Sequence, residues 1–353
     1  MWCADCETIE HYFYDSTTFY FFVPTEESFG KLASLCGSLG FDAKQIHSHC
    51  IQVTLAKSEI DTLLLGFFGE LNGQERKNTK VTTTPAGTEF GLEAAGRMID
   101  AESFVNRYKS TWIVESVEQG NYESWFQPII HTQDWPSGAR SPYGHEALFR
   151  MRDNNGTIIP PGHVFGIAAK SDLLFALDLT ARRSAIEHAA KAKLRSKVFV
   201  NFDPSSIYDP SYCLRTTAAA IDEAGINVSD VVFEVTETNK AKDLAHLKGI
   251  LAFYRSAGFK VALDDIGAGW SGLTMLNELS PDYVKIDMAL VRDIHLKPKQ
   301  QTIVRHLVEI AKENGIKIIA EGIEVKEEAQ CLSEFQVDFM QGYLFGKPAL
   351  LQP

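Results

Sequence analysis

No stretch of this 353-residue sequence reaches the roughly 18 to 20 consecutive apolar residues of a membrane span. The opening segment MWCADCETIEHYFYD also lacks the basic-then-apolar order of a secretory signal. Those absences lead us to expect a cytoplasmic protein with no membrane partner. Basic residues are in deficit, 34 Lys and Arg against 46 Asp and Glu, for a formal charge of −12. Duplex nucleic acid is therefore not an expected partner, because its non-specific affinity comes from cations that neutralise phosphates. A phosphate-bearing substrate would need metal cations to reach so acidic a site. Cysteine is sparse, and six scattered residues suit thiols in a reducing compartment better than a disulfide framework. Apolar content is ample: 45% hydrophobic and 11% aromatic residues support a substantial core and argue against disorder.

Residues 18–84 alternate between strand and helix patterns: TFYFFV, EESFGKLASLCGSLG, CIQVTLA, SEIDTLLLGFFGELN and TKVTTT. A small α/β module over 1–90 follows, with a boundary near the turn-forming Pro85-Ala86-Gly87. Apolar residues recur at helical spacing from Leu92 to Gly120, which predicts a helical linker over 91–112. From 113 to 353 short apolar runs alternate with amphipathic ones. Eight of the runs read as strands: WFQPII, HEALFRM, KVFVNF, VVFEVT, KVALDDI, YVKID, KIIAEGI and FMQGYLF. Eight strands with helices between most of them predict a closed (β/α)8 TIM-like barrel, in which polar residues at strand C-termini converge on one mouth.

Polar residues stand at those ends. Glu146, Asn201, Glu234 and Asp264, on four different strands, would bring three carboxylates and an amide oxygen to one point. Such an oxygen set suits Mg²⁺ or Mn²⁺ and not zinc, which would recruit His or Cys. Neighbours in a strand point to opposite faces, so Asp265 can join Asp264 at the mouth only if the strand ends there, as Gly267 and Gly269 suggest. Asp265 and Glu321 could then hold a second cation. Two metals about 3.5–4 Å apart are the device for in-line displacement at phosphorus, and Lys285, among the carboxylates, could orient the attacking water.

In order, the motifs FQPI, EALFR, IPP, VNF, EVTE, DDIGAGWSGL, VKID, AEGIE and QGYLFGKP resemble those of the EAL-domain family of cyclic di-GMP phosphodiesterases, from about Ile113 to Pro348. The resemblance implies hydrolysis of cyclic di-GMP to linear pGpG by metal-bound water, on a barrel whose first strand is antiparallel to the rest. It implies two divalent cations: Glu146, Asn201, Glu234 and Asp264 hold one, and Asp264, Asp265 and Glu321 surround the other. Lys285 contacts the nucleophilic water, and Glu321 is general base or only a ligand. Gln127, Leu148, Arg150, Asp287, Glu324 and Gln341 hold substrate or support the site, and Glu237 steadies the loop after the paired aspartates. A homodimer through the barrel is implied too. Ile266, Trp270 and Gly272 depart from the usual DDFG(T/A)GYSS loop, and Met151 and Asp203 from the usual Trp and Ser, but no ligand position is lost. A catalytically silent cyclic di-GMP receptor is the alternative, and a scaffold acting through protein contacts alone is a third.

Two patterns compete. Gly267 to Gly272 satisfies the dinucleotide fingerprint G-x-G-x-x-G, yet Asp264 and Asp265 just before it would repel a pyrophosphate. Cys3, Cys6, Cys36, His47, His49 and Cys50 could supply zinc ligands, although buried thiols and surface histidines explain them more simply. The first module has room for an unknown ligand or protein partner.

Overall fold

The computed structural model describes residues 12–351 apart from 138–140, 154, 172, 205–206, 208–209, 237–243 and 268–271. The chain divides into two compact units, residues 1–120 with 162–176, and residues 121–161 with 177–353. Among the described residues no helix is long and apolar enough to cross a membrane.

The first unit is an antiparallel sheet in the order β2-β3-β1-β4-β5, with β1 (Ser16–Phe22), β2 (Ala43–His47), β3 (Cys50–Ala56), β4 (Lys80–Pro85) and β5 (Ile99–Asp100). Its helices are α1 (Glu26–Leu39), α2 (Ile60–Glu70), α3 (Gly73–Asn78), α4 (Leu92–Gly96), α5 (Ala101–Lys109) and α6 (Thr111–Glu118). Helix α1 starts where Thr25 accepts from Ser28 N, with Glu26 and Glu27 in its first turn, and stops at Gly40 in the left-handed region. The core joins Phe19, Phe21, Ile51, Val53 and Val81 of the sheet to Leu32, Leu63, Phe67 and Phe104 of the helices. Alternation in the sequence did not reveal β2, whose residues are largely exposed. The helical pattern of 92–120 is broken by β5, which pairs Asp100 with Lys80 and Ile99 with Val81. Ala101, Phe104 and Val105 of α5 belong to the core of this unit.

All eight strands expected in the second unit form: β6 (Tyr122–His131), β7 (Gly144–Arg152), β9 (Lys197–Asn201), β10 (Val231–Thr236), β11 (Lys260–Ile266), β12 (Tyr283–Ile286), β13 (Lys317–Ala320) and β14 (Phe339–Gln341). They close into a barrel because β6 pairs with both β14 and β7, antiparallel to each. The other pairings around the ring are parallel. The short β8 (Ile158–Ile159) extends β7 as a hairpin. Helix α7 (Pro161–Ala168) lies in a segment that belongs with the first unit. The barrel helices are α8 (Leu174–Lys191), α9 (Pro210–Ala224), α10 (Leu244–Ser256), α11 (Gly272–Leu279), α12 (Met288–Val291), α13 (Pro298–Glu313) and α14 (Lys326–Glu334).

One apolar layer fills the barrel: Ile129, Phe199, Val232, Ala262, Tyr283, Ile319 and Phe339, one from each of seven strands. The eighth strand supplies Gly144, where a Cβ would fall 2.8 Å from the Phe199 ring, so the missing side chain makes room for it. Side chains on one face of a strand recur every second residue. The layer above this one is therefore two residues further along each parallel strand, and two residues back along β6.

Candidate functional site

That second layer is polar on every strand: Gln127, Glu146, Asn201, Glu234, Asp264, Lys285, Glu321 and Gln341. The apolar floor below fixes which way each of them faces. Lys285 is fully buried at the centre, with Nζ 2.7 Å from Glu321 Oε1, 2.8 Å from Glu234 Oε1, and 3.3 Å from both Glu146 Oε2 and Asp264 Oδ1. Amides hold the glutamate of β7: Asn201 Nδ2 donates to Glu146 Oε1 at 3.1 Å, and Gln341 Nε2 to Glu146 Oε2 at 2.6 Å. Gln341 also reaches Gln127 Oε1 at 3.2 Å, and Gln127 donates to the Gly346 carbonyl.

Asp265 joins the ring by a different route from the one its sequence suggests. Strand β11 does not stop at the aspartates but continues to Ile266, and its register against β12 shifts between Leu263 and Ile266. Asp265 sits within this bulge at φ 58, a left-handed conformation that aspartate tolerates better than most residues. The bulge, not a strand end, turns two consecutive carboxylates toward one place. Asp264, Asp265 and Glu321 offer oxygens within 4.8 Å of one another, as do Glu146, Glu234 and Asp264.

The electrostatics follow from burial. Glu234 and Glu321 are pushed well above the usual carboxylate range by burial, against the pull of Lys285 and with neighbouring carboxylates adding to the push. Asp265, half-buried and close to Asp264 and Asp287, rises to about 6. Glu146 goes the other way, because Lys285 and the donating amides outweigh its burial. Burial alone would lower Lys285, but Asp264, Glu146, Glu234 and Glu321 hold its ammonium well above the ordinary lysine value.

The donor set fits divalent cations. With all five carboxylates ionised, as cation binding would require, and one ammonium, the ring would carry four negative charges, which two divalent cations would balance. Glu234 is the telling residue: Lys285 Nζ lies against its Oε1, but among the described residues its other buried oxygen, Oε2, accepts no hydrogen bond, although carboxylates so deeply buried ordinarily do. Two clusters of hard oxygen donors could thus hold metal. Four members of the cysteine and histidine pattern of the first unit are among the described residues. Cys36 and Cys50 are buried thiols, with burial raising Cys36 to about 11 and Cys50 in the same direction, and His47 and His49 are exposed and share Ser48 Oγ. Cys3, Cys6, Gly269 and Trp270 lie outside the described residues.

The other candidate positions surround the ring. Leu148 and Arg150 follow Glu146 on the same face of β7, and the Arg150 guanidinium lies 5.3 Å over the Trp125 ring. Asp287 caps α12 by accepting from Ala289 N at 2.8 Å. Glu324 is exposed and makes a two-pronged ion pair with Arg292 at 2.5 and 2.6 Å. Glu237 lies outside the described residues. Two buried acids escaped the sequence reading. Glu328 accepts from the backbone of Asp293, Glu324 and Val325, pinning the loop after β13. Asp178 accepts from Asp203 N beside Asn201. Neither stands at a strand end, and the residue at the cap of α14 is Val325, so no Ser/Thr capping-box signature marks Glu328.

Fold and site together define a TIM-like barrel with an acidic ring at one mouth. The chain matches the EAL domain family over residues 111–348 and belongs to it. It is 29% identical over 240 residues to the probable cyclic di-GMP phosphodiesterase PdeG of Escherichia coli (strain K12), a match covering 66% of this chain and 46% of that protein. It is 27% identical over 243 residues to the cyclic di-GMP phosphodiesterase RocR of Pseudomonas aeruginosa, covering 67% of this chain and 59% of that one. The chain thus spans about half the length of these curated relatives. Among solved structures it is similar to a standalone versatile EAL protein from Vibrio cholerae O395 in its c-di-GMP-bound form, at 34% identity and a TM-score of 0.58, covering 65% of this chain and 92% of that one.

Proposed function

We propose that this protein hydrolyses cyclic di-GMP to linear pGpG, with two divalent cations, Mg²⁺ or Mn²⁺, as cofactors. The observation that carries the reading is the ring itself, in which buried Lys285 is surrounded by Glu146, Glu234, Asp264 and Glu321 at 2.7 to 3.3 Å. Glu146, Asn201, Glu234 and Asp264 would hold one cation, and Asp264, Asp265 and Glu321 the other. Bound there, they would draw charge from the phosphoryl oxygens and make a nearby water more acidic.

The chain's own residues do the rest. Lys285, kept charged by its neighbours, donates to the attacking water and orients it. Water oxygen bonds to phosphorus as the bond from phosphorus to the sugar oxygen opposite breaks. The water proton passes to the Glu321 carboxylate, which cation binding would leave ionised, and the departing oxygen takes a proton from solvent. Arg150 would fork onto a non-reacting phosphate oxygen, and Leu148, Asp287 and Glu324 would line the substrate's path. Gln127 and Gln341 keep Glu146 in place. The first unit, which has its own core, is read as a module that modulates the barrel. A homodimer through the barrel and a cytoplasmic location belong to the same reading.

The test compares wild type with Glu146→Ala, using cyclic di-GMP with Mn²⁺ or Mg²⁺ and chromatography of the products. Conversion to pGpG by wild type alone is expected. Undiminished turnover in the variant would refute the site, and binding without turnover by wild type would make the protein a receptor.

A further inference from the structure

Helix α8 carries a charge pair where an apolar contact would be the ordinary choice. Arg182 and Asp178 are both buried, four residues apart, with Arg182 Nη2 2.8 Å from Asp178 Oδ2. Arg182 Nη1 also reaches Thr217 Oγ1 on α9 at 3.3 Å. The second oxygen of Asp178 leaves the helix pair altogether: Oδ1 accepts from the backbone N of Asp203 at 3.0 Å.

Asp203 is two residues beyond Asn201, and the residue between them, Phe202, donates its backbone N to the Glu234 carbonyl at 3.1 Å. The chain leaving β9 is therefore held at two successive amides, one tied to the neighbouring strand and one to the Asp178 carboxylate. Immediately before those ties, at the last position of the strand, stands the Asn201 amide, which donates to Glu146. Burying two charges is costly even when they are paired, and apolar replacements of such pairs often fold as well or better. Packing alone gives no reason for a carboxylate here, whereas an acceptor for the Asp203 amide does.

We propose that Asp178 is a positioning residue for the metal site: through the Asp203 amide it fixes the loop that aims Asn201, and Arg182 serves to keep the Asp178 carboxylate in place. The inference rests on the metal reading of Asn201 and Glu146. Outer groups that orient metal ligands typically change affinity by about 10- to 100-fold when removed.

Mn²⁺ titration calorimetry on the metal-stripped full chain tests it without reference to turnover. D178L/R182M removes both charges and the acceptor, and is expected to stay folded by circular dichroism while binding Mn²⁺ about 10- to 100-fold more weakly. D178N/R182M keeps a neutral oxygen for the Asp203 amide but loses the Arg182 tether, and is expected to bind more tightly than D178L/R182M and no more tightly than wild type. Asp178→Glu keeps the ion pair but moves the acceptor by one methylene, and is expected to weaken Mn²⁺ binding with the melting temperature little changed, which covers a folding failure of D178L/R182M. Wild-type affinity in D178L/R182M or in Asp178→Glu would overturn the inference, as would a D178N/R182M variant that binds as weakly as D178L/R182M. Wild-type protein that takes up no Mn²⁺ would overturn the metal reading and this inference with it.

Discussion

Replacing Lys285 with methionine keeps the side-chain length and removes the charge on which four carboxylates converge. Removing one partner of a buried ion pair typically costs about 3–5 kcal/mol, because the other charge is left uncompensated. Here four are left. Protons relieve part of the cost, since Glu234 and Glu321 already hold theirs well above the usual carboxylate range. Without Lys285 the pull that lowers them disappears and they rise further. The sign is then fixed: acids raised in the folded state bind protons that the unfolded chain has released, so stability is lost as pH rises. Each such proton is worth about 1.4 kcal/mol per pH unit. Metal-free Lys285→Met should therefore fall about 3–5 kcal/mol below wild type at pH 8, with a smaller deficit at pH 6. Urea unfolding followed by circular dichroism at both pH values measures it. Added Mn²⁺ should restore part of the stability but not the turnover, which should stay about 10²- to 10³-fold down for want of the donor to the attacking water. A variant as stable as wild type at pH 8, or a deficit independent of pH, would refute the assignment of Lys285 as the countercharge of the ring.

The Asp265 carboxyl, raised to about 6, must lose its proton to hold a cation. Metal affinity measured by calorimetry should drop at least tenfold per pH unit below 6, and Asp265→Asn should flatten that slope. Glu328→Ala leaves three backbone amides without their acceptor, and an unfolding free energy lower by about 2–4 kcal/mol is expected; a change under 1 kcal/mol would show the loop is held otherwise. At Gly342 a Cβ would lie 2.0 Å from the Ile323 carbonyl oxygen, so Gly342→Ala should force apart the loops after β13 and β14 and lower both expression of folded protein and its melting temperature.

Much of the polar ring was legible because Glu146, Asn201, Glu234, Asp264, Lys285, Glu321 and Gln341 each stand at or near the C-terminal end of a short apolar run. That pattern, with eight runs of it, was enough for the barrel. The antiparallel first strand came from family resemblance, since WFQPII carries no mark of direction. The bulge at Asp265 was not legible, because a left-handed aspartate reads like any other strand residue and the nearby glycines invite a strand end instead. Strand β2 escaped for want of a buried face, and β5 because two residues are too few to show a period. Asp178 and Glu328 look like ordinary charges of amphipathic helices until their hydrogen bonds to distant backbone are seen.

The most direct measurement is the product formed when the purified chain meets cyclic di-GMP, with Mn²⁺ or Mg²⁺ in one set of reactions and a chelator in another. If the acidic ring with Lys285 is a metal-dependent phosphodiesterase site, pGpG accumulates with metal and not with chelator. Intact cyclic di-GMP under both metals, or the same rate with chelator present, would contradict it.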